Sequence, residues 1–168
     1  MSRLAGTTAP KLRSTLTARI DDCAADLAWT FDGSALAVAS VRGPITLFAT
    51  GAEDGAELPG HPGGTLSISW HPREAVLASA GRDGIVRLWR PGSDTGDEVL
   101  AEAGWAARVG RSHDGAHLAA AIGTRLYVLE RATGTRQSSS KHTSTIADLA
   151  WHPSRERIAT AAYGGVTV

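Results

Sequence analysis

Apolar positions come in short runs of strand length, parted by polar, glycine-rich segments, and the runs recur at a fixed period. LAWTFDG at 27–33, ISWHPRE at 68–74, VGRSHDG at 109–115 and LAWHPSR at 149–155 each open a unit. Their leading residues, Leu27, Ile68, Val109 and Leu149, are spaced by 41, 41 and 40 residues, a period that marks a repeat protein. The segments that follow keep phase: ALAVAS at 35–40, VLASAG at 76–81, HLAAAI at 117–122 and RIATAA at 157–162, then PITLF at 44–48, IVRLW at 85–89 and RLYVL at 125–129. One deletion explains the shorter interval, because Ile122-Gly123-Thr124 stands where Gly81-Arg82-Asp83-Gly84 does.

Each unit therefore predicts a first strand ending near a tryptophan, a tight turn, a small-residue second strand, another turn and a third strand. The polar segments at 51–60, 92–104 and 134–141 are long enough for a fourth, exposed strand. Asp32-Gly33 and Asp114-Gly115 suit tight turns, since Gly accepts positive φ and Asp bonds its own turn. Ala37, Ala39, Ala78, Ala80, Ala119, Ala121, Ala159 and Ala161 place two small side chains in every second strand, which lets neighbouring sheets approach closely. Four short antiparallel strands every ~40 residues predict an all-β β-propeller. A sandwich would not repeat its sequence in this way.

The best-preserved unit, LPGHPGGTLSISWHPREAVLASAGRDGIVRLWR at 58–90, resembles the WD-repeat β-propeller family. The likeness rests on Gly60-His61, Leu77-Ala78-Ser79, Asp83-Gly84 and Val86-Arg87-Leu88-Trp89, with Arg90 where the family pattern ends in Asp. It extends from about residue 20 to 168. The resemblance implies a hydrogen-bonded tetrad of His61, Ser79, Asp83 and Trp89, in which Ser accepts the indole N–H and His links Ser to Asp. The other units keep less. His142 and Thr160 share the spacing of His61 and Ser79, with Gly164 near the Asp position. Ile20, Val38, Arg42 and Phe48 replace all four members in the first unit; Ala120 and Leu129 replace Ser and Trp in the third. Those two units are expected to hold together by apolar packing alone.

Composition removes several function classes. Lys plus Arg equals Asp plus Glu at 17 each, and the basic residues are scattered, so no charge draws the chain to nucleic acid or an anionic membrane. No stretch approaches the ~20 apolar residues of a membrane span, and no apolar run marks a secretory signal; a cytoplasmic protein is expected. Cys23, the single cysteine, lies among acidic residues that oppose a reactive thiolate. His113 and His117 have helical metal-ligand spacing, but Asp114-Gly115 between them marks a turn, so no metal is expected. The His61-Ser79-Asp83 set has no G-x-S-x-G around its serine, and Gly60-His61-Pro62-Gly63-Gly64 lacks the lysine of a phosphate-binding loop. Neither an enzyme nor a cofactor is expected.

Function is then sought on loops. Trp105 falls where Gly64, Cys23 and Thr145 stand in the other units, and a large aromatic in a surface loop is a binding hot-spot candidate. Arg82, Arg42 and Tyr163 occupy or adjoin the second turns and are expected to rim the same face. Trp29, Trp70 and Trp151 repeat at the end of first strands and are expected in the core or between blades.

Residues 1–10 read as a tail, and 11–168 as a partial propeller of about three and a half four-stranded blades (units about 20–59, 60–101, 102–140 and 141–168). The alternating KLRSTLTARI at 11–20 is a candidate closing strand. Missing C-terminal blades, as in a fragment of a roughly seven-bladed ring, or a second copy closing an eight-bladed one, would complete the domain. The expected function is a non-catalytic scaffold for a protein or peptide partner. The alternative is the N-terminal part of an enzyme or enzyme accessory whose catalytic residues lie beyond 168.

Overall fold

The computed structural model describes residues 17–90, 92–139 and 141–168, which hold fifteen strands and no helix. β1 (Ala24–Trp29), β2 (Ala35–Ser40), β3 (Ile45–Ala49) and β4 (Gly55–Leu58) form one antiparallel meander. β5 (Thr65–Trp70), β6 (Leu77–Gly81), β7 (Ile85–Trp89) and β8 (Asp97–Ala101) form the second. The third comprises β9 (Ala106–Arg111), β10 (His117–Ile122), β11 (Arg125–Glu130) and β12 (Arg136–Ser138). A fourth, three-stranded sheet is built from β13 (Ile146–Trp151), β14 (Ile158–Ala162) and β15 (Gly165–Thr167). These are propeller blades in an open row. Residues 1–16, with the expected tail and most of the expected closing strand, lie outside the described residues; residues 17–20 form no strand.

The turns form by the chemistry their residues predict. Gly33 and Gly115 adopt φ of 70° and 79°, and Asp32 and Asp114 accept the N–H of Ser34 and Ala116 two residues on.

The alternation of each second strand decides how the blades stack, because successive side chains leave opposite faces. Ala37 and Ala39 pack with Ile68, Leu77 and Trp89 of the second sheet. Ala78 and Ala80 pack with Val109, Leu118 and Ala120 of the third, and Ala119 and Ala121 with Ile146 of the fourth. All six alanines have no exposed surface. The core is thus three separate cores, each between adjacent blades. At the free face of the fourth sheet, the equivalent Ala159 and Ala161 are only half-buried.

Packing between blades is not apolar alone. The innermost strands β1, β5, β9 and β13 lie side by side in that order and share polar bonds. Ile68 N–H donates to Asp26 Oδ2 at 2.9 Å, and Val109 N–H to Ser67 Oγ at 3.3 Å. Trp70 Nε1–H donates to the Ala28 carbonyl at 3.0 Å, and Trp151 Nε1–H to the Gly110 carbonyl at 2.9 Å. A buried indole must find an acceptor, and here the preceding blade supplies it. Trp29 departs from the expected packing: it is 55% exposed, beside exposed Leu27 and Phe31. Among the described residues, no sheet lies against that face of β1 to provide the carbonyl.

Candidate functional site

The connection from β8 to β9 carries Trp105, and the β6–β7 turn carries Arg82. The Arg82 guanidinium carbon lies 5.1 Å from the centre of the Trp105 ring, within cation–π range. Trp105 is nevertheless 59% exposed and Arg82 is exposed. The pair spans the second and third blades. One repeated bond fixes the loop that bears the tryptophan: Val41 N–H donates to Cys23 O, Arg82 N–H to Gly64 O, and Gly123 N–H to Trp105 O, at 3.0, 3.0 and 3.1 Å. Trp105 thus occupies the backbone position of Gly64 and Cys23, and its side chain stands out where theirs are small.

Arg42 and Tyr163 lie in turns at the same end of their sheets but do not join this pair. Arg42 faces Asp22, whose carboxylate accepts the Arg42 N–H at 2.7 Å, and Tyr163 stands 90% exposed on the fourth blade.

Within the second blade, His61, Ser79, Asp83 and Trp89 come together as one chain of bonds. Trp89 Nε1–H donates to Ser79 Oγ at 2.8 Å, Ser79 Oγ lies 2.6 Å from His61 Nε2, and His61 Nδ1 lies 2.9 Å from Asp83 Oδ1. For these three bonds the directions agree in one tautomer, in which the indole and Nδ1 donate and Nε2 accepts the serine proton; Arg87 Nη1 also lies 2.6 Å from Nδ1. His61, Ser79 and Trp89 are buried, so Ser79 does not face solvent as a nucleophile would. Gly81 packs directly under the His61 ring, where an added Cβ would collide with it.

Burial lowers the His61 pKa against the pull of Asp83. Burial works to raise the Asp83 carboxyl, but the Arg87 hydrogen bond and His61 outweigh it and hold the pKa below 3.8. Sequence reasoning missed Arg87. Its Nη1 donates to Asp83 Oδ2 at 2.7 Å and its Nη2 to Glu98 at 2.8 Å, extending the chain of bonds across β7 to β8. The four-residue step from Asp83 to Arg87 was the available signal.

The other units fill the same places differently. Ile20, Val38 and Phe48 line one apolar cavity at the free face of the first blade. Thr160 is buried in the fourth blade and His142 half-buried, but the two share no hydrogen bond. Among the described residues no three His, Cys, Asp or Glu side chains gather as metal ligands, and His113 and His117 lie across the β9–β10 turn. Cys23 is an exposed free thiol. Among the described residues no helix is long and apolar enough to cross a membrane.

Comparison with known proteins agrees with this geometry. The family model described as WD domain, G-beta repeat, matches residues 55–90 and 134–167. WD repeat-containing protein 1-A of Xenopus laevis is 36% identical over 66 residues, which cover 38% of this chain and 11% of that relative. Repeat period, four-stranded blades and both matches converge: the chain carries WD-type repeats, matched at residues 55–90 and 134–167.

Proposed function

We propose that the chain is a non-catalytic scaffold that presents the Arg82–Trp105 pair to a peptide or protein partner. WD repeats generally mediate protein–protein interaction, and the observation that carries the specific reading is Trp105 held 59% exposed under a guanidinium. An exposed aromatic body with a guanidinium stacked on it is the kind of surface where interface energy concentrates. Arg42 and Tyr163 belong to neighbouring turns and extend the rim. Capture of partners by the wild-type chain and by Trp105→Ala tests this: loss of partners without loss of fold supports it, and an unchanged set removes Trp105 from the site.

The open faces are joining surfaces in the same reading. Ala150 is the repeat equivalent of Ala28 and Gly110, the carbonyls that accept Trp70 and Trp151. Trp29 has the donor that matches it. A β1-type face and a β13-type face therefore fit each other, whether further blades or a second copy brings them together.

A further inference from the structure

The third blade breaks the tryptophan pattern twice on one face. Arg111 stands at the end of its first strand, where the other units have Trp29, Trp70 and Trp151. Leu129 pairs with Leu118 as Trp89 pairs with Leu77 in the second blade, so a smaller side chain stands where the second blade places an indole. Both changes face the second blade, and between the two sheets lies a cavity of about 350 Å³. That is the lower end of the size range of small-molecule sites.

The cavity has two chemically distinct parts. Leu88, Val99, Leu118 and Leu129 form an apolar wall. The polar part holds Arg111, Arg131, Arg90, His71, Glu74 and Glu130. Most of these charges are already matched. Arg131 grips Glu74 in a bidentate pair at 2.6 and 2.9 Å, Arg90 is paired with Asp97, and Glu130 accepts the Thr133 hydroxyl at 2.7 Å. Arg111 is the exception. Its Nε is buried with no hydrogen-bond partner, and its guanidinium takes part in no ion pair among the described residues.

Burial, with Arg131 and Arg90 nearby, outweighs the pull of Glu74 and lowers the Arg111 pKa to about 10. A half-buried cation without a partner is costly to the fold, whereas tryptophan at this position bonds the neighbouring blade. One unpaired guanidinium fork matches one carboxylate in shape and charge, and the apolar wall beside it matches a short hydrocarbon body.

We propose that this cleft between the second and third blades binds a small monocarboxylate with an apolar side group, held by Arg111. It lies at the opposite end of β9 from Trp105, so it is a second site independent of the scaffold surface. Partners at Trp105 and ligands here are separable by mutation.

N-acetyl-leucine is a suitable probe, titrated into the 168-residue chain and followed by amide chemical shifts of Leu118 and Leu129. The proposal expects saturable shifts with the acid and much weaker ones with N-acetyl-leucinamide or inorganic phosphate, which lack the carboxylate and the apolar body respectively. Arg111→Met should weaken binding at least about tenfold, the scale of a lost charge-assisted pair, while raising thermal stability because it removes the unpaired cation. No shift with the acid at millimolar concentration, equal shifts with the amide or with phosphate, or unchanged affinity in Arg111→Met would each overturn it. The three-ligand comparison on the wild-type chain decides the matter even if the variant does not fold.

Discussion

Arg82 and Trp105 come from different blades, one from a turn inside the second and the other from the loop entering the third, yet their side chains stack at 5.1 Å. The contact ties the surface of two blades together without burying the indole. Exposed cation–π pairs contribute only about 0.5–1 kcal/mol, so this pair is poorly explained as a stabilising device. Arg82→Ala is expected to leave the urea midpoint nearly unchanged, and equilibrium denaturation checks it. A large destabilisation would reassign the pair to the fold.

The bonded chain through His61 and Ser79 should behave in the opposite way. Ser79→Ala leaves the Trp89 N–H and the His61 Nε2 without partners inside a buried site. Each unpaired group costs about 1–3 kcal/mol, so unfolding in urea should reveal a loss of that order. Gly81→Ala should be comparably harmful because its Cβ meets the His61 ring. A neutral outcome for both would mean that apolar packing alone carries this blade.

Acid should weaken the fold before carboxylates titrate. Burial holds His61 below 6.5, and burial together with Arg111 does the same for His71. As pH falls below 6.5 the unfolded chain takes up these protons and the folded chain does not, so stability drops. Asp83, held below 3.8, adds a further loss only at lower pH, as its folded form becomes protonated. The urea midpoint should fall between about pH 7.5 and about pH 5, and His61→Gln should flatten that slope. An equal slope in the variant would exclude His61 as a source.

The free face of β1 predicts self-association. Leu27, Trp29 and Phe31 are exposed together, and a contiguous apolar face of this kind promotes contact between molecules. Sedimentation velocity should show concentration-dependent association of the 168-residue chain, reduced by Trp29→Asp. A monodisperse monomer at all concentrations would contradict the joining role of this face.

Much of this architecture was legible from spacing. Ala35–Ser40, His117–Ile122 and Ile85–Trp89 are strands over the segments the repeat marked, because the period locates each strand independently of its propensity. The place of Trp105 followed from subtraction of the repeat, and the members of the His61 set from the resemblance to WD repeats. What escaped depends on neighbours in space. Trp29 has the same sequence context as Trp151, LAW in both, and differs only in whether a preceding blade offers a carbonyl. The role of Arg87 depends on Asp83 and Glu98, which stand on either side of it in the folded blade. Arg111 was visible as a substitution, but its meaning needed the cavity that Leu129 leaves.

The scaffold reading is tested most directly by selecting peptides from a random displayed library on the immobilised chain, then measuring their affinity for wild type, Trp105→Ala and Arg111→Met. Enriched peptides should bind Trp105→Ala at least about tenfold more weakly, as expected for a hot-spot residue, with thermal stability unchanged, and should bind Arg111→Met as they bind wild type. Peptides that bind Trp105→Ala as tightly as wild type would contradict the account.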